Sequence, residues 1–267
     1  MRVYHKVVTS GRITEIYSYE EGITIGLKGK TNSNTAKAGG NMPEEERVLR
    51  EKDNLRRSLG RTVQTLRRTI NANIHEWGKE KPKFMTLTFK ENVLDHEVAN
   101  KEFREFIKRL SRKLFKKQSG LKYTCVVERQ ARGSIHYHVL FYNLPFIKFD
   151  DLLKVWENGK EQRGLHINAI EDIDNVGAYV VKYIEKDIQA MKNGYDPKTG
   201  KSAKEKNKKL FFQSRGLIKP TEKALSAEEV TELEKQLIDD KAVVFEAEHN
   251  NEHVGKMTYK QIKRSEN

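Results

Sequence analysis

The chain lacks the residues that mark a secreted, disulfide-stapled or membrane-spanning protein. Its 267 residues contain one cysteine, Cys125. A single thiol excludes an internal disulfide framework, and it excludes zinc fingers and knuckles, which need several ligating cysteines. It fits a reducing cytoplasm, which is the expected location. No apolar run reaches transmembrane length, so no membrane partner is expected. The opening Met1-Arg2-Val3-Tyr4-His5-Lys6 lacks the apolar core of a signal peptide. No internal repeat is visible.

Positive charge, by contrast, is abundant. The net charge is +13 with a pI near 9.5. From Thr221 to Asn267, 7 Lys/Arg stand against 11 Asp/Glu, so the first 220 residues carry +17. A basic body with an acidic end is the footprint of a polyanion binder.

Hydrophobic spacing divides the chain into three segments. Residues 1–43 form a β-rich extension, with strand patterns at 3–8, 12–19 and 23–27, followed by the Gly/Asn-rich linker Thr31 to Pro43. Residues 44–220 form the main domain, and 221–267 a C-terminal α/β extension. Within the main domain a long helix is predicted over 44–77. Leu55, Leu59, Val63, Leu66, Ile70, Ile74 and Trp77 form its apolar stripe, and Gly60 is a point where it could kink. Strands follow at 84–89, 121–128, 134–142, 165–170 and 210–213, with helices at 96–117, 149–157 and 173–191. A helix over 226–238 and strands at 242–247 and 254–262 close the chain. This order suits an α+β sandwich: an antiparallel sheet with helices on one side.

The richest stretch is Ile135-His136-Tyr137-His138-Val139-Leu140-Phe141. Side chains alternate along a strand, so His136 and His138 project from one face and the apolar residues from the other. Two imidazoles on a rigid strand are half of a divalent metal site. Residues 129–133 read as a hairpin turn, which lets Glu128 lie across from His136 or His138. Two imidazoles and a carboxylate suit Mn2+ or Mg2+, with positions left for phosphate oxygen and water. His5, His75, His96, His166, His249 and His253 lack such a context and read as surface or core residues, with His166 a remote further candidate. Cys125 reads as a small buried hydrophobe.

A second stretch, Tyr179-Val180-Val181-Lys182-Tyr183-Ile184-Glu185-Lys186, offers nucleophiles. Tyr179 and Tyr183 are four apart and share a helix face, flanked by Lys182 and Lys186. A phenol titrates near about 10 and attacks poorly at neutral pH. Neighbouring lysines would favour phenolate and stabilise phosphate. Gly177-Ala178 would permit close approach of this helix to the sheet.

Together these residues resemble the HUH endonucleases that initiate rolling-circle replication. Phe84-Met85-Thr86-Leu87-Thr88-Phe89 looks like their first motif, and Glu128 with Gly133-Ser134-Ile135-His136-Tyr137-His138 looks like the metal motif. The tyrosine stretch looks like the nucleophile motif of the two-tyrosine branch, typified by the gene A protein of microviruses. Trp156, Gly164 and Ser214-Arg215-Gly216-Leu217 with Pro220 add to the likeness, which covers roughly residues 50–220. The resemblance implies a five-stranded antiparallel sheet with the histidines on a central strand, and nicking of single-stranded or hairpin origin DNA. It also implies a 5′-phosphotyrosine link and a free 3′-OH that primes a host polymerase, with Tyr183 as first nucleophile and Tyr179 as second. Gly194 to Ser202 looks like a phosphate-binding loop, but its glycines are six apart and it follows a helix. It reads as a basic turn near DNA, and unwinding is expected to need a host helicase.

Candidates for DNA-backbone contact are Arg109, Arg112, Lys113, Lys116, Lys117, Arg132 and Arg215, with the basic run from Lys198 to Lys209. Two other readings are an HUH transposase or relaxase with the same chemistry, and a non-enzymatic single-stranded nucleic-acid binder with base-stacking aromatics.

Overall fold

In the computed structural model, residues 2–24, 43–77, 82–130, 133–160, 163–170, 175–183, 211–238, 243–251 and 255–264 are described. The linker over 31–42, Arg132, Lys186 and the basic loop over 192–209 lie outside them. The chain divides into two units: Glu51–Ile218, and the terminal segments Met1–Arg50 with Lys219–Asn267. The first unit holds 35 Lys/Arg against 21 Asp/Glu, and the terminal segments hold 16 against 17. The positive excess therefore belongs to the unit that carries the histidines and tyrosines.

The elements of the terminal unit are β1 (Arg2–Ser10), β2 (Ile13–Thr24), β8 (Thr221–Leu225), α5 (Ala227–Ile238), β9 (Val243–Asn251) and β10 (Gly255–Lys263). Its antiparallel sheet runs β8-β1-β2-β10-β9, so strands from both ends of the chain share one sheet. Val7, Ile16 and Ile262 pack there with Val230 and Leu237 of α5. The third expected strand is the end of β2, which continues past a register shift and pairs Val3 with Ile23. Strand β8 has no pattern in the sequence. Its residues Thr221 to Ala224 are exposed, and only backbone pairing to β1 makes it a strand.

The other unit contains α1 (Glu44–Asn73, which begins before the unit's first residue), β3 (Lys83–Thr88), α2 (His96–Phe115), β4 (Tyr123–Arg129) and β5 (Ile135–Phe141). It continues with α3 (Phe149–Glu157), β6 (Gly164–Ala169), a helix over 176–183 (α4) and β7 (Phe211–Gln213). The sheet is five-stranded and antiparallel in the order β6-β3-β5-β4-β7, and the fold is α+β. The histidine strand β5 is central, and all seven of its residues are buried.

That burial corrects the expectation of helices on one side only. On one face, Ile135, Tyr137, Val139 and Phe141 pack with Phe103, Phe106 and Leu110 of α2 and Leu152 and Trp156 of α3. On the other, Phe84, Val126, Leu140 and Tyr142 pack with Leu59, Leu66 and Ile70 of α1 and Val176 and Val180 of α4. The physical reason is that the histidine face is itself largely apolar away from the histidines. A central strand with apolar side chains on both faces needs cover on both. Helix α1 runs through Gly60 unbroken. Helix α2 is capped by Asp95, whose carboxylate accepts from the backbone N–H of Glu97 (2.7 Å) and Val98 (3.4 Å). It ends at a left-handed Lys116, so Lys116 and Lys117 lie beyond the helix. No helix among the described residues is long and apolar enough to cross a membrane.

Candidate active site

Cross-strand register assembles the polar face. Glu128 on β4 stands opposite His136 on β5, and Thr86 on β3 stands opposite His138. The Glu128 carboxylate reaches the diagonal neighbour instead of the direct one: its Oε2 lies 2.6 Å from His138 Nε2. Thr86 Oγ1 lies 3.1 Å from His138 Nδ1. An ionised carboxylate only accepts, so Nε2–H donates to Glu128 and Nδ1 accepts from the Thr86 hydroxyl. Both ring nitrogens of His138 are thereby held. His136 and His138 are both buried, and Glu128 is partly exposed.

Chemically, two imidazoles and a carboxylate on one face suit a divalent cation. Among the described residues, no three His, Cys, Asp or Glu side chains are spaced to hold an ion. Glu128 and His138 are joined directly.

Helix α4 lays the tyrosines on this face. The Tyr183 ring lies 4.1 Å from the His138 ring, centroid to centroid, and both Tyr179 and Tyr183 contact Phe84. Phe84 also stacks parallel to His138, at 5.8 Å. The two phenol oxygens are 2.8 Å apart and share a hydrogen bond. Their i, i+4 spacing on one helix face makes this bond available.

The protonation expectation for Tyr183 is reversed. Burial, the hydrogen bond and negative charge of Tyr179, and the negative charge of Glu128 push its phenol well above the ordinary value. Lys182 is exposed, so its charge is largely screened by water.

The approach of α4 is set by α1. Asn71 Oδ1 accepts from Gly177 N–H (2.9 Å), and Asn71 Nδ2 donates to Asn175 Oδ1 (3.1 Å). Asn175 Oδ1 also accepts from Ala178 N–H at 2.9 Å, an N-cap that satisfies a free donor of the first turn. A Cβ on Gly177 would fall 2.4 Å from the Arg67 carbonyl oxygen. The glycine thus permits close approach to helix α1, where the sequence suggested the sheet.

The expected DNA contacts divide. Arg109 Nε and Nη2 donate to the Val155 carbonyl (3.2 and 3.1 Å), and Lys113 pairs with Asp151 at 3.5 Å, so both are tied to α3. Arg112, Lys116, Lys117 and Arg215 are exposed. Helix α2 packs on the face of the sheet opposite the histidines and tyrosines, so its basic surface is separated from them by the sheet. Sequence reading did not single out Asn71, Asn175 or the role of Thr86. The alternation at 84–89 put Thr86 on a definite face, but only strand pairing shows that it meets His138.

Residues 82–188 match a family model of replication-associated proteins, the ORF2 type. The matched segment begins just before β3 and contains Thr86, Glu128, both histidines and both tyrosines. It leaves out α1 and the terminal unit. The match supports a rolling-circle replication initiator. No curated protein and no solved structure matches the chain.

Proposed function

We propose that the chain initiates rolling-circle replication by nicking single-stranded origin DNA through tyrosine transesterification. The observation that carries this reading is the packing of Tyr183 on His138 while Glu128 holds the same imidazole. Tyr183 is the first nucleophile because its ring touches His138; Tyr179 lies over Phe84 and reaches the site through the Tyr183 hydroxyl. The Tyr183 oxygen bonds to phosphorus and the bond from phosphorus to the 3′ oxygen breaks. The phenolic proton ends on the released 3′ oxygen by way of solvent or the Tyr179 hydroxyl. A 5′-phosphotyrosine and a free 3′-OH result. The hydroxyl can prime a host polymerase, with a host helicase unwinding ahead of it.

Glu128, His136 and His138 would hold Mn2+ or Mg2+, which would supply the positive charge that favours phenolate and stabilises the phosphorane. Ligation requires deprotonated donors, so the proton now shared by Glu128 and His138 would leave. Thr86 keeps the His138 ring in orientation, and Phe84 with the sheet excludes water from beneath the tyrosines.

The test is incubation of the chain with labelled single-stranded oligonucleotides and Mn2+, followed by a denaturing gel. A protease-sensitive covalent adduct is expected with the wild type. Adduct formation that survives the combined change of Tyr179 and Tyr183 to Phe would refute the mechanism.

A further inference from the structure

The histidine face is covered unevenly. Strand pairing sets one row across the sheet: His166 on β6, Thr86 on β3, His138 on β5, Val126 on β4 and Phe211 on β7. Toward β4 and β7 the row is roofed. Val126 is buried, and Phe211 packs into the cluster formed with α1 and α4. Toward β6 it is open: His166 and Asn168 are exposed, and Thr86 and Thr88 are half-buried. The tyrosines lie over Phe84 and His138, on β3 and β5. Among the described residues, the edge strand beside them is therefore bare.

The bare shelf suits a polyanion. Neither β3 nor β6 contains a carboxylate. The shelf offers an imidazole, an amide and hydroxyls, the neutral groups that commonly meet phosphate and sugar oxygens. Gly164, paired with Thr88, shapes it: a Cβ there would fall 2.1 Å from the Thr88 hydroxyl oxygen. The glycine lets that hydroxyl lean toward the β6 edge. His166 stands two strands from His138, about 10 Å at the usual strand spacing. That is beyond reach of a shared ligand atom and within reach of a neighbouring nucleotide.

We propose that this shelf is a DNA-strand subsite, in which His166 and Asn168 hold the backbone next to the phosphate facing Tyr183. The substrate class rests on the nickase reading above. The strand would cross the sheet on the β6 flank of the histidine face, and the basic surface of α2 would lie away from its path.

Cys125, the sole cysteine, is buried, so a cysteine introduced on the surface provides the reactive thiol. His166→Cys is compared with Arg112→Cys on the opposite face, each with a random-sequence single-stranded oligonucleotide carrying disulfide-activated thiols on its backbone, in chelator. Capture at position 166 should be at least about tenfold faster, because bound DNA raises the local concentration of the thiol there. Unmodified single strands should compete it away. Equal or slower capture at 166 would overturn the subsite. As a second measurement, His166→Ala with Asn168→Ala should weaken binding of a fluorescent single strand about tenfold, the loss expected for hydrogen bonds to charged phosphate. Unchanged affinity would also count against it. Adduct formation with Mn2+ is scored separately on the wild-type chain. Fast capture without an adduct leaves the subsite and removes the nickase; an adduct with slow capture does the reverse.

Discussion

Tyr183 and His138 lie ring against ring, 4.1 Å between centroids and 31° from parallel, although 45 residues separate them in the chain. The contact joins helix α4 to the central strand at the imidazole that also bonds Glu128 and Thr86. A nucleophile and a set of metal-type donors meet on one side chain, and the first prediction concerns that meeting.

Tyr183→Phe is expected to reduce adduct formation by about a thousandfold or more, the scale seen when a nucleophile is removed. Tyr179→Phe should leave first cleavage measurable and impair a second transfer. Quantified gels with substrates that report the first and second steps separately would check this. Full first-step activity in Tyr183→Phe would assign the attack to Tyr179.

Thr86→Val removes the hydroxyl that bonds His138 Nδ1 and keeps the β-branched shape. Outer partners that orient a ligating histidine typically matter about 10–100-fold in metal affinity or activity. Titrating Mn2+ into the adduct assay should show that shift, with far less effect at saturating metal. An unchanged Mn2+ midpoint would mean that Thr86 orients nothing. His138→Ala should abolish metal-dependent adduct formation while DNA binding, measured by anisotropy, largely persists.

Asn71→Ala cuts both of its hydrogen bonds to the start of α4. A cost of about 1–3 kcal/mol in stability is expected from the groups left unpaired. Well below the melting temperature, the adduct rate should fall at saturating DNA while the DNA concentration for half-maximal rate stays put, because the tyrosines lose placement and the DNA surface does not change. Gly177→Ala should be worse, since its Cβ meets the backbone carbonyl of Arg67. A wild-type rate in both variants would show that α4 is positioned by other contacts.

Glu102 gives a pH prediction remote from the site. Burial tends to raise its pKa, but hydrogen bonds from Lys160 and Arg163 and their charges outweigh it, and the net value lies below 4.5. Arg163 is buried, stacked over Trp156 and bonded to the Trp156 carbonyl. A carboxylate with a lowered folded pKa contributes stability above its unfolded value and loses it as pH falls through the folded value. Glu102→Gln should therefore cost about 1.5–3 kcal/mol at neutral pH, as for hydrogen bonds to charged groups. The gap to wild type should close below pH 4.5. Urea unfolding at neutral and acid pH would measure it; a gap that widens in acid would reverse the sign.

Much of the fold was legible because its elements have strong periods. The α1 stripe from Leu59 to Ile74 and the alternation of β5 each bury the side chains that their spacing marks. Strand β8 was not legible, because its exposed residues carry no pattern and its partner β1 lies some 220 residues earlier. The sidedness of the helices was misread because Leu140 and Tyr142, which continue the histidine face, were not weighed as a surface needing cover.

By itself the sequence determined which groups exist and which share a local face: two histidines by strand alternation, two tyrosines by helical spacing, and a carboxylate one hairpin away. Those follow from the periods of 2 and 3.6, which are properties of the backbone. Only the tertiary structure decided that Glu128 bonds His138 and not the residue opposite it, that Tyr183 rests on that imidazole, and that Asn71 holds the tyrosine helix. It also decided that α2 faces away from the tyrosines. Such pairings depend on strand order and packing between distant segments, which the spacing of residues along the chain does not encode.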